Sequence, residues 1–277
     1  MTIHLVLAAV LVLALPMACL ATPVPYLNFF DTKMLLPPLL KDPLVALVGN
    51  TCYTSLIEDF HLTDIECIQY AISKCLGFGI VVGSAIVKLP QILTITSNRS
   101  AKGLSLTSFV LETIAYCITL AYNLRQQNPL STFGEVFFMT LQNILITLLI
   151  LHYAQRQREM ILTLVGFVVL LLGLTSSRLV PSWLMASLYA VTIPLALASK
   201  VPQIYTNYTS HSTGQLSLVA VINYFVGSSA RVFTTITELD DPLMLGGNVL
   251  ASILNGILLI QVVIYWNKDE EKPSKAD

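Results

Sequence analysis

Two lysines in apolar surroundings each stand two residues ahead of a Pro-Gln pair, in Lys88-Leu89-Pro90-Gln91-Ile92 and Lys200-Val201-Pro202-Gln203-Ile204. An ammonium at membrane depth costs about 2.5–3.5 kcal/mol at a helix centre. Such a lysine either snorkels to the headgroups or joins its twin as a pair of cations at a cavity mouth, suited to a phosphate or sugar phosphate. Pro90 and Pro202 each remove a backbone donor and clash with the carbonyl four residues back, Ile86 and Ala198. Gln91 and Gln203 carry amides able to donate to a freed carbonyl or to a polar ligand. One such proline would be ordinary in a membrane helix, but two in matched register favour a hinge or a gate.

Further polar residues interrupt the apolar segments. Glu112 lies about two turns inside one of them, and Lys88 is its expected partner, with Lys200 second. Arg231 lies beside the small-residue run Gly227-Ser228-Ser229-Ala230. An intramembrane arginine is a candidate functional residue by default; the alternative is that it reaches the interface near Glu238. Asn143 and Asn255 either bond across helices, worth about 0.6 kcal/mol on average, or line a cavity that meets hydroxyl-rich ligands.

These residues belong to a duplicated frame. Lys88 and Lys200 are 112 positions apart, and the ungapped match from 88–106 to 200–218 holds nine identities in 19 positions. Chance at ordinary composition gives about one or two. The same offset relates Asn143 to Asn255 and Tyr153 to Tyr265.

The 277 residues are 55% apolar and 11% charged, with a net charge of −1 and a mean hydropathy of +0.74. Soluble domains carry about 25% charged residues, so a soluble enzyme is excluded on composition, and a near-neutral chain has no basic field for nucleic acid. Apolar windows of about 20 residues predict spans at 76–95, 104–122, 133–153, 160–177, 182–200, 216–236 and 245–266. The expected fold is an all-α membrane protein of seven transmembrane helices: a three-span unit at 76–153, a linker span at 160–177, and a second three-span unit at 182–266. Because three is odd, the linker restores the direction, and the two bundles of this 3+1+3 arrangement run parallel.

Orientation follows from the basic residues. Arg99, Lys102, Arg156, Arg158, Lys268, Lys272 and Lys275 fall on one side, against Arg125 and Arg178 in the opposite short loops. This predicts a cytosolic C-terminal tail at 267–277 and a luminal N-terminal segment at 22–75. The sequons Asn98-Arg99-Ser100 and Asn207-Tyr208-Thr209 then face the cytosol. Residues 1–21, an apolar run closing on Ala18-Cys19-Leu20-Ala21, resemble a signal peptide. The start Met1-Thr2-Ile3-His4 lacks the usual basic residue, and a retained anchor or an extra span is the alternative.

With Cys19 lost to cleavage and Cys75 and Cys117 in or against spans, Cys52 and Cys67 are the expected luminal disulfide; the alternative is two unrelated cysteines. Four scattered histidines make no metal pattern, and no catalytic constellation or cofactor is implied. Glu238, Asp240 and Asp241 admit a metal site or a capping turn at Asp241-Pro242. Gly79 and Gly83 form a GxxxG read as a close helix contact.

The duplicated Lys-x-Pro-Gln with its following Ser-Leu resembles the PQ-loop repeat family, which is related to the SWEET carriers. Gly77-x-Gly79-Ile80-Val81-x-Gly83-Ser84, Gly103-Leu104-Ser105-Leu106, Gly214-Gln215-Leu216-Ser217, Gly227-Ser228-x-Ala230-Arg231-x-Phe233-Thr234 and Asp241-Pro242-Leu243-Met244 are similar to the mannose-P-dolichol utilisation-defect branch over roughly residues 50–267. The Cys52 and Cys67 pair is similar as well. The resemblance implies a multi-pass protein of the endoplasmic reticulum membrane. It implies a requirement for using dolichol-phosphate-mannose and dolichol-phosphate-glucose in N-glycan precursor assembly, O- and C-mannosylation and glycosylphosphatidylinositol anchors. Dolichyl-phosphate sugars, membrane lipid and luminal mannosyltransferases are the implied partners. Carriage of a small solute and a non-transporting scaffold are the competing roles.

Overall fold

The structure, a computed structural model, describes residues 36–270 apart from 199 and 214–216, with the side chains of 266–270 left aside. The signal-like stretch 1–21 and the end of the basic tail, 271–277, lie outside the described residues. All elements described are helical: α1 (Pro38–Tyr53), a π-helical turn (Thr54–Glu58), α2 (Ile65–Val87), α3 (Leu89–Ser97), α4 (Leu106–Arg125), α5 (Leu130–Tyr153), α6 (Gln157–Thr175), α7 (Ser182–Leu197), α8 (Lys200–Ser210), α9 (Leu218–Glu238) and α10 (Pro242–Glu270).

Local chemistry sets the element ends. α1 bends at Gly49, whose φ of 78° is a conformation glycine adopts without steric cost. Asp64 starts α2 by accepting the Cys67 N–H, and Ser105 starts α4 by accepting that of Ser108. Asp241 caps α10 through the N–H groups of Leu243 and Met244, at 2.9 and 3.0 Å. That is the capping-turn reading of Asp241-Pro242. Cys52 at the end of α1 and Cys67 in the first turn of α2 form a disulfide, with Cα atoms 5.1 Å apart.

Six helical stretches among the described residues are long and apolar enough to cross a membrane: Ile65–Ser97, Leu130–Tyr153, Gln157–Thr175, Ser182–Ser210, Leu218–Glu238 and Pro242–Tyr265. The protein is a multi-pass membrane protein. The expected span at 104–122 is α4, a helix of 20 residues that is less apolar than the six. It packs against α5, α6 and α7, so Thr113 and Asn123, both fully buried, face protein. The first span begins at Ile65, 11 residues before the expected 76. Lys74 therefore lies within a helix.

Isoleucine and leucine pack each repeat through equivalent positions. Ile92 and Ile95 of α3 pack on Ile146 and Ile150 of α5. Leu258 and Val262 of α10, 112 positions beyond Ile146 and Ile150, pack on Val221 of α9 with Ile204 of α8 alongside. A third cluster joins the halves: Cys117, Ala121 and Tyr122 of α4 meet Leu174 of α6, Met185 and Tyr189 of α7, and Met244 of α10. The Tyr122 and Tyr189 rings stack there at 4.2 Å.

Candidate functional site

The proline motif does not kink a continuous helix. α2 stops at Val87, Lys88 takes φ −95° and ψ 0°, and Pro90 is the second residue of a new helix. At that position its missing N–H is one of the donors a helix start leaves free anyway. Pro202 is likewise the third residue of α8. The break exposes backbone groups of α2, and a side chain from α5 meets them. Gln142 donates through Nε2 to the carbonyls of Ser84 (2.9 Å) and Ala85 (3.2 Å) and accepts the Lys88 N–H at Oε1 (2.8 Å). Gln91 and Gln203, both half-buried, make none of these bonds. The amide that answers the proline break comes from 51 residues beyond Gln91, a partner that no local spacing announces.

At the break the polar residues converge. Lys88 Nζ donates to Glu112 Oε1 at 2.9 Å and to Asn143 Oδ1, and the Tyr116 hydroxyl donates to the same Glu112 oxygen at 2.8 Å. The rings of Phe109 and Tyr116 lie 5.5 and 5.7 Å from the ammonium. Lys88 does not snorkel; its side chain is 12% exposed and its charge is neutralised inside the bundle.

Moving each of these four positions by 112 gives Lys200, Tyr224, Ser228 and Asn255, and they too come together. Lys200 Nζ lies over the Tyr224 ring, 4.4 Å from its centre. Asn255 Nδ2 donates to the Tyr224 carbonyl and the Ser228 hydroxyl, both at 3.2 Å. The duplication has thus kept a lysine and an asparagine in each half, both touching the residue at the Glu112 position, and exchanged that carboxylate for the Tyr224 ring. Asn143 and Asn255 are both buried, at 0 and 8% exposure, and both bond across helices.

A second polar cluster lies toward the other end of α5. Arg231 of α9 donates to the Ser131 carbonyl at 2.8 Å and to the Glu135 carboxylate. Glu238 accepts Ser73 Oγ (2.5 Å), Lys74 Nζ (2.7 Å) and Ser131 Oγ (2.6 Å), and Lys74 also donates to Ser131 Oγ (2.9 Å). Twelve positions separate Ser131 from Asn143, about 18 Å along a helix. Arg231 therefore belongs to a different layer from the lysine-asparagine groups. Lys74 and Glu135 escape a sequence reading that starts the first span at 76; an acid between Phe133 and Phe137 in an apolar run was the signal for Glu135.

Small residues fit the same layer. A Cβ on Gly77 would stand 2.5 Å from the Ser131 carbonyl oxygen, and one on Gly134 2.8 Å from Val81. The expected close contact at Gly79 and Gly83 is not made, since nothing lies within 4 Å of either added Cβ. Gly77 and Gly134 bring α2 and α5 together instead. In the second sequon Asn207 is 5% exposed and its amide donates to Gln261 Oε1 at 3.2 Å, so that nitrogen is engaged in packing α8 on α10.

The PQ loop repeat model matches this chain twice, at residues 72–132 and 184–244. The matches begin 112 residues apart, as the internal alignment does. Human solute carrier family 66 member 3 is 26% identical over 189 residues, which cover 65% of this chain and 88% of that protein. Two matches at one constant offset, each containing one Lys-x-Pro-Gln motif, give this chain two PQ loop repeats.

Proposed function

We propose that this is a seven-helix, 3+1+3 protein of the endoplasmic reticulum membrane, with a luminal N-terminus and a cytosolic C-terminus. It serves the use of dolichol-phosphate-mannose and dolichol-phosphate-glucose in N-glycan precursor assembly, O- and C-mannosylation and glycosylphosphatidylinositol anchor synthesis. It acts by presenting or reorienting the lipid-linked sugar, as a carrier and not a catalyst. The observation that carries the reading is the open second site. Lys200 is half-buried over the ring of Tyr224, a residue 55% exposed, so a polar headgroup can reach the ammonium while its isoprenoid tail stays in hydrocarbon. A soluble solute would need an enclosed cavity.

A second reading, a carrier of a small solute, is favoured by the carboxylate of Glu112 against Lys88, a pair able to couple to a proton. The name of the human relative, a solute carrier, points the same way. Purified protein in liposomes separates the two. Faster transbilayer exchange of dolichyl-phosphate-mannose, lost in a Gln91→Ala/Gln203→Ala variant, supports the first reading. Uptake of free sugar or amino acid with no lipid exchange overturns it. Activity in neither assay, with mannosylation rescued in deficient cells by the same variant, leaves a scaffold for luminal mannosyltransferases.

A further inference from the structure

The two equivalent sites differ in the bonds of their lysine. In the first repeat the lysine ammonium donates to the asparagine Oδ1, Lys88 to Asn143, and also to Glu112. In the second repeat neither counterpart bond exists among the described residues. Asn255 Oδ1 is buried without a hydrogen-bond partner, although the residue is 8% exposed. Its identity as the oxygen is fixed by chemistry, because the other amide atom faces the Tyr224 carbonyl, which can only accept. Lys200 has no carboxylate partner among the described residues and rests on a ring. Among the described residues the site therefore holds both a cation without an anion and an acceptor without a donor.

We infer that the second repeat alone is the anion-binding half, and that its ligand is a phosphoryl group carrying a neighbouring hydroxyl donor, as in a glycosyl phosphate. The phosphoryl oxygen meets Lys200 and a sugar hydroxyl meets Asn255 Oδ1, across Tyr224. The first repeat takes no anion, because Glu112 already occupies the equivalent ammonium. This deepens the proposed function and rests on it for the isoprenoid source of the phosphate; mannose 1-phosphate shares the chemistry without the lipid.

Binding to the full-length protein in nanodiscs tests the inference, with a short-chain prenyl-phosphate-mannose, mannose 1-phosphate, free mannose and leucine as probes. Lys200→Met should weaken phosphoryl binding by about tenfold or more, and Lys88→Met/Glu112→Leu by less than about threefold, since only the first removes a charged hydrogen bond to the ligand. Lys200→Arg should keep most of the affinity. Thermal melting of Lys200→Met should match the parent, because no ion pair is broken. Equal losses in the two repeats, or free mannose binding as well as its phosphate, overturns the inference. So does Lys200-dependent binding of leucine without binding of either phosphate. Binding of mannose 1-phosphate through Lys200 with no response to the prenyl compound upholds the anion site and removes the lipid-linked substrate. No binding of any phosphoryl probe by the parent overturns both.

Discussion

Glu238→Ala should be among the most destabilising single substitutions in this chain. The Glu238 side chain is 1% exposed and that of Lys74 8%. Removing the carboxylate strips the acceptor from Ser73 Oγ, Ser131 Oγ and Lys74 Nζ together, and leaves a buried ammonium with one hydroxyl and the Tyr70 ring, 5.0 Å away. Breaking a buried ion pair from one side costs about 3–5 kcal/mol, and a chain of this size loses roughly 2–4 °C of melting temperature per kcal/mol, so a fall of roughly 6–20 °C is expected. Melting of detergent-solubilised protein, followed by the fraction that stays monodisperse, reads this directly. Lys74→Met/Glu238→Leu should recover most of the loss, because no unpaired charge remains. A fall under about 2 °C in the single variant would mean the carboxylate is solvated or exchangeable and the buried-pair reasoning is wrong. A double variant as unstable as the two singles summed would show that the groups do not act as a pair.

Three other outcomes follow from the packing. Gly77→Ala should destabilise by about 1–3 kcal/mol, because its Cβ meets the Ser131 carbonyl oxygen at 2.5 Å. Gly79→Ala should be neutral or gain up to about 1 kcal/mol of helix propensity, and the same melting assay ranks them. Gln142→Leu should cost about 1–3 kcal/mol, since the Lys88 N–H and two α2 carbonyls lose their partner; faster amide exchange at 86–92 would report it. The Ser55 hydroxyl and the Cys67 N–H hold the Asp64 carboxyl below the ordinary range. Its contribution is therefore complete above the ordinary aspartate pKa, about 4, and lost as pH falls through the lowered folded value. Hydrogen exchange in residues 55–67 should quicken only below about pH 4 in the parent and already at neutral pH in Asp64→Asn.

Pattern reading reached what is periodic or repeated. The 112-residue offset was legible because identical residues recur without a gap, and the two family matches keep the same offset. The Lys88 and Glu112 contact was legible because few partners exist for an acid in hydrocarbon. The form of the proline break was not legible, since a lone sequence does not show that Lys88 leaves helical geometry and that Gln142 arrives from another helix to satisfy it. The contacts of Glu135, Ser131 and Lys74 with the second repeat were hidden for a related reason. They join residues 96–164 positions apart, and neither periodicity nor duplication carries such pairs.

Those long-range pairs make the order of the halves matter. Ser73, Lys74, Ser131 and Glu135 have Met185, Ala186, Leu243 and Gly247 as their counterparts in the second repeat, while Arg231 and Glu238 correspond to Thr119 and Gln126 in the first. Each half carries only its own side of the fastening. Two copies of the first repeat would bring no arginine to Glu135, and two copies of the second no lysine to Glu238. Like halves brought together would lack this polar fastening, whereas unlike halves would restore it.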